Sequence, residues 1–255
     1  MEKKEKEEVY INSLSEYIEF IENLGDNFCL SRGQNKDYEL FPGALRKIEE
    51  NQKYTRNEIK EYLDEFRINF YTFMDKSISI KESEFIIYAQ HYGLPTYLLD
   101  FSKSHIISLM FAVENAFEEI EESKEHNPLD RGVVYFLNPF ELNKKNARKE
   151  IVEIDDDLSN FSGPVAIQAR KINKRIQVQN GTFVHFNSAD KALNELDDEN
   201  ILKKIFIKTE NKKIILSNLF KLGFGFSNIY PELNSLSKDI LLKKKIIEFL
   251  REREG

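Results

Sequence analysis

The chain of 255 residues has no Trp, a single Cys, only six Pro and no long apolar run. Each shortage removes a class of protein. One thiol, Cys29, permits no internal disulfide and excludes metal sites built from several thiolates, which agrees with a reducing compartment. No stretch of about 18 consecutive apolar residues is present to span a bilayer, and the N-terminal MEKKEKEE is followed by no apolar stretch of signal-peptide length. Positive charge is not in excess either, since 37 Lys and Arg face 44 Asp and Glu for a net charge of −7. Without a general basic field, nucleic acid and acidic lipid are disfavoured as partners. A cytoplasmic protein with no membrane partner is expected. Richness in Lys, Asn and Ile without Trp has the look of AT-rich bacterial coding.

What remains is globular composition, 41% apolar and 32% charged, in a length that one large domain can fill. Residues 1–10 read as a frayed, charged lead-in and 11–250 as a single domain. Leu14, Ile18, Ile21 and Leu24 recur at helical spacing after Ser13 and before Gly25, predicting a capped helix. Asn27 to Ser31 reads as a buried strand that ends at Arg32-Gly33. Thr55 and Glu58 have capping-box spacing ahead of a stripe from Ile59 to Phe73, so a long, mostly core helix is expected over about 56–76. A second helix runs to about Gln90. A third begins after Ser102 or Ser104 and is apolar on nearly all sides through Phe117, so it must be deeply buried. The second half holds short β-rich runs at 132–137, 165–167, 182–186 and 201–207, with acidic loops at 119–131 and 155–163 and helices after about 216 and from Pro231. The fold class is therefore α+β: a single mixed domain, helices mainly in the N-terminal half, the sheet assembled mainly from the C-terminal half.

Three segments carry polar residues that helix or strand patterning does not explain. In the first, Arg32, Gly33 and Gln34 close a buried strand, where a planar guanidinium can clamp two phosphate oxygens and the glycine permits close approach; an internal ion pair is the competing reading. In the second, Gln90 to Ser102, a helix end, a Gly-x-Pro turn and a helix start fall within about a dozen residues, so His91, Tyr92, Thr96, Asp100 and Ser102 can converge on one cleft. The imidazole can hold a ribose hydroxyl or move a proton, and Ser102 with the following amides can receive a phosphate. Each has a structural alternative: Ser102 as a cap, Asp100 as a turn brace, His91 as a core group. In the third, Arg175 to Phe183, an extended backbone would point Gln177 and Gln179 the same way, while Asn180-Gly181 suits a β-turn. No metal is expected, because His91, His105, His126 and His185 show no paired ligand spacing. Cys29, in an apolar strand, reads as inert packing.

With these segments the sequence resembles the FRG domain family of bacterial and phage proteins, whose signature stands here as Leu30-Ser31-Arg32-Gly33-Gln34. The longer match is Gln90-His91-Tyr92-Gly93-Leu94-Pro95-Thr96-Tyr97-Leu98-Leu99-Asp100-Phe101-Ser102, then Leu109 to Val113, with Tyr97 and Phe101 where the family has Arg and Trp. The likeness continues through Gln179-x-Gly181-x-Phe183 to about residue 240. A more distant resemblance is to ADP-ribosyltransferases, which order an Arg-Gly strand end, a Ser before an apolar helix, and a Gln-x-Glu turn. Here Arg32-Gly33, Ser102 and Gln177-Val178-Gln179 follow that order, with neutral Gln179 where a carboxylate belongs. The resemblance implies a toxin or defence effector with an ADP-ribosyltransferase-like site and NAD as cofactor. It assigns His91, Asp100 and Gln179 to catalysis, and Arg32, Gly33, Gln34, Tyr92, Thr96, Ser102 and Gln177 to the nucleotide. The implied partner is a nucleotide or NAD-like ligand. A non-catalytic module that recognises a nucleotide, or a phage or host protein, is the alternative.

Overall fold

In the computed structural model, which describes residues 8–48, 51–73, 80–118, 130–168 and 177–254, the first helix α1 (Leu14–Glu22) starts where Ser13 accepts the Glu16 N–H. Tyr17 rather than Ile18 occupies its buried face. The capping box of Thr55 and Glu58 opens α2 (Arg56–Phe70) as its spacing predicts. The helix ends six residues short of the expected boundary, and positions 74–76 lie outside the described residues. It is also less buried than expected. Only Ile59 and Phe70 are fully enclosed, the latter by Phe85 and Tyr88 of α3 (Glu82–His91). The predicted core helix is α4 (His105–Val113), buried at six of its nine positions. Later come α5 (Pro139–Ala147), α6 (Thr209–Lys221) and α7 (Leu233–Glu254). Helix α5 is not among the expected elements, although Asn138 caps it and Pro139 occupies its first turn.

Among the described residues these seven helices accompany a mixed sheet of seven strands, which makes the fold α+β. Its strands are β1 (Leu30–Gln34), β4 (Leu98–Ser102), β5 (Gly132–Leu137), β6 (Val152–Glu153), β7 (Val165–Gln168), β8 (Gly181–His185) and β9 (Leu202–Ile207), in the order β6-β7-β8-β4-β1-β5-β9. A small hairpin, β2 (Lys47–Ile48) with β3 (Asn51–Gln52), stands apart. Five of the seven strands come from beyond residue 131, yet the two at the centre, β1 and β4, come from the first half. Neither matches its expected form. β1 runs on through Arg32 and Gly33 to Gln34, and residues 98–102, read as a turn into a helix, are a strand with Leu98, Leu99, Phe101 and Ser102 buried. Nor is the lead-in frayed throughout. The Ile11 N–H donates to Phe206 and the Phe206 N–H donates to Val9, so residues 9–11 extend the β9 edge; residues 1–7 lie outside the described part.

Helix α4 rests on β1 and β5 at unusually short range. A Cβ on Gly33 would stand 1.7 Å from the Ser108 carbonyl oxygen, and one on Gly132 would stand 2.4 Å from that of Ala112. The absent side chain of Gly33 is thus what lets the helix pack this closely on β1. Val134, Phe136, Ile205 and Ile207 face α4 and α6 on this side of the sheet, while Leu99, Phe101, Tyr135 and Phe206 pack with Leu40 and Phe186 on the other.

Candidate functional site

β1 pairs with β5 along all five of its residues and β4 pairs with β8 along all five of its own, but β1 and β4 meet only at Ser31 opposite Ser102. Past that pair the strands part, and the fork opens as a cleft of about 350 Å³. Arg32 spans it. Its Nη1 donates to the Asp100 carbonyl oxygen at 2.8 Å and its Nε donates to Gln34 Oε1 at 3.3 Å. Gln34 Nε2 in turn donates to the Tyr38 carbonyl, so this nearly buried amide holds the guanidinium from behind. Nη2 has no hydrogen bond among the described residues, which leaves one edge of the planar fork for an anion. Burial lowers the Arg32 pKa and Asp100 opposes that shift.

Asp100 is held from the other side. Gln90 Nε2 donates to Asp100 Oδ1 at 2.7 Å, Thr96 Oγ1 donates to Gln90 Oε1, and the Leu98 N–H donates to Thr96 Oγ1. Thr96 is therefore fully enclosed in the turn. It orients Gln90 and does not line the fork cleft itself. His91 lines the cleft, whereas Tyr92 is 64% exposed and leans on His91 and Phe66 outside it. Ser102 Oγ donates to the Gln179 carbonyl at 2.6 Å and accepts the Ser104 N–H, so it ties β4 to the turn before β8, and Ser104 takes the N-cap position of α4. Gln177 and Gln179 do not share a face. Residues 177–178 are helical, Asn180 has φ 51°, and only Gln179 lines the cleft, with Gln177 exposed; Arg175, from the same segment, lies outside the described residues. The buried Nε2 of Gln179 has no hydrogen-bond partner among the described residues, a donor of the kind that a bound acceptor would satisfy.

The cleft takes in residues beyond those assigned to catalysis or to the nucleotide. Arg46, from the loop after a short 3₁₀ turn, lines the same cleft as Arg32, and so do Asn35 and Glu114. Glu114 follows α4 directly and reads in sequence as an ordinary helix-end charge. Burial raises its carboxyl pKa, and Asn35 Nδ2 reaches it only at 3.4 Å. Phe111 and Tyr230 meet edge to face at 6.0 Å beside it; Phe111 is half-buried rather than enclosed in the core. Beneath the cleft, Ser31 Oγ lies 2.8 Å from both Ser108 Oγ and His105 Nδ1, a closed polar cluster between β1 and α4. Burial raises the pKa of the Cys29 thiol, which favours its protonated form. Among the described residues no group of three His, Cys, Asp or Glu side chains is placed to hold a metal ion, and no helix is long and apolar enough to cross a membrane.

Fold and cleft together define an α+β protein with an arginine-lined opening in a forked sheet. Residues 28–121 match the family model of the FRG domain. That span holds every residue lining the cleft except Gln179, Gly181, Phe183 and Tyr230, and it is shorter than the stretch of likeness read from the sequence. No curated protein and no solved structure matches the chain.

Proposed function

We propose that the fork cleft binds an NAD-like nucleotide and that the chain transfers or hydrolyses its ADP-ribosyl group, in the manner of a toxin or defence effector. The observation that carries this reading is the convergence of Arg32 and Arg46 with two carboxylates, Asp100 and Glu114, in one opening. The arginines suit a diphosphate, for which the unpaired Nη2 edge of Arg32 is already oriented by Gln34. His91 and the unpaired Gln179 amide suit ribose hydroxyls. Such a ligand supplies a ribose–nitrogen bond whose electrons leave with nicotinamide, so positive charge develops on the ribose carbon. Asp100, fixed by Gln90, and Glu114 are the groups that can offset that charge and accept the proton of the incoming nucleophile. One observation favours the second reading, a recognition module: Gln179 is neutral where the transferases carry an acid.

Titration calorimetry of the full chain with NAD and ADP tests the first part. Arg32→Lys keeps the charge but loses the planar fork, and binding should weaken by about tenfold to a hundredfold, from about 1.5–3 kcal/mol for a charge-assisted hydrogen bond. Unchanged affinity removes the clamp. Nicotinamide release tests the second part, with Asp100→Asn and Glu114→Gln expected to slow it and Gln179→Glu to speed it. If wild type and Gln179→Glu are both inert while Arg32 still binds nucleotide, the recognition module stands instead.

A further inference from the structure

The fork cleft is not closed at Arg32. A second groove, of about 310 Å³, borders it and shares Arg32, Arg46, Gln90 and Asp100 with it. Its outer wall is Lys53, Tyr54, Gly43 and the Leu94-Pro95-Thr96 turn. Lys53 Nζ sits 5.1 Å from the Tyr54 ring centroid, and Tyr54 meets Tyr62 edge to face at 6.1 Å, so the ring is braced at this wall. The first chamber has its own rings in Phe111, Phe183 and Tyr230. Two chambers, each with aromatic groups, thus meet at a pair of cations.

We infer that the ligand is two-headed, with a ring-bearing half in each chamber and a diphosphate bridge on Arg32 and Arg46. This rests on the nucleotide reading above and deepens it by placing the two halves of the dinucleotide in separate chambers, where that reading alone puts the ligand in the fork cleft. Size supports the assignment, because each chamber alone is near the lower end of the roughly 300–1,000 Å³ found for small-molecule sites. One nucleoside fills one chamber; a second needs the other. Charge supports it too. Both arginines border both chambers, so they lie at the junction where a bridging anion would sit, while Lys53 adds a cation on the outer side only.

The test compares ADP, which has one nucleoside, with NAD and diadenosine diphosphate, which have two, by calorimetry on the full chain. Wild type should bind both dinucleotides at least tenfold more tightly than ADP. Whichever chamber the ADP adenosine prefers, emptying the other by Tyr54→Ala or Tyr230→Ala should remove that gain. Arg32→Lys should weaken all three ligands together. Equal affinity of wild type for ADP and the dinucleotides overturns the inference without touching the nucleotide reading, and so does a gain that survives both tyrosine substitutions. Failure of all three ligands to bind overturns both. The wild-type comparison decides the matter even where a tyrosine variant does not fold.

Discussion

Glu114 shows how one residue acquires a property that its identity does not carry. The end of a helix is normally wet, but Phe111, Tyr230 and the loop after β1 enclose this carboxyl and raise its pKa. Between the ordinary and the raised value the folded protein keeps a proton that the unfolded chain has lost, so stability falls as pH rises through that window. Glu114→Gln removes this penalty. Thermal unfolding from pH 4 to pH 8 should show the variant gaining on wild type as pH increases; a constant difference would contradict the enclosure. His185 has the opposite sign. Burial pushes its pKa from 6.5 down to about 4, so on acidification the unfolded chain takes up a proton first and wild type loses stability between those values. His185→Gln should be flatter across that acid limb. A parallel acid profile would place the loss elsewhere.

At the scale of elements, the site depends on how closely α4 lies on β1. Gly33→Ala puts a Cβ against the backbone of Ser108, where no flexible side chain can move aside. Helix α4 would have to lift, and a loss of more than about 4 kcal/mol or failure to fold is expected. Leu99→Ala, which leaves a cavity without moving an element, should cost about 2–5 kcal/mol and leave the protein folded. Chemical denaturation ranks the two, and the reverse order would show that α4 is not held by that contact. Lys212 of α6 helps hold it. Its buried ammonium donates to the carbonyls of Asn35 and Asp130 at 2.6 and 2.7 Å and to Asn115 Oδ1 at 3.3 Å, joining the ends of β1, α4 and β5. Burial lowers its pKa to about 8.

At the scale of the molecule, the edge strand β9 is covered by the chain's own beginning. Arg131 fastens that cover, with Nη1 and Nη2 on the Glu8 carboxylate, a further bond to Asp37 and its guanidinium carbon 3.6 Å from the Phe206 ring centroid. The ring contact adds to ion pairs that are partly exposed and individually weak. Arg131→Ala should therefore cost about 1–3 kcal/mol, and Arg131→Lys should recover only part of it. Full rescue by Lys, measured by thermal unfolding, would reduce the clasp to simple charge pairing.

The sequence by itself determined what depends on near neighbours. Ser13 and the Thr55/Glu58 pair mark helix starts because a cap bonds within three residues, and α4 is legible as buried because its apolar residues surround the axis. The polar strings around Arg32 and Gln90 likewise stood out as unexplained by periodicity. Only the tertiary structure decided that 98–102 is a strand, since its pairing partner β8 lies some eighty residues away and Asp100 and Ser102 mask its apolar character. It also decided which polar residues face the ligand space. Gln34 lines the cleft while it orients Arg32, Thr96 orients Gln90 from behind the fork, and Arg46 and Glu114 enter the cleft because β1 and β4 part after a single pair. That parting is a relation between strands about seventy residues apart, and no local spacing encodes it.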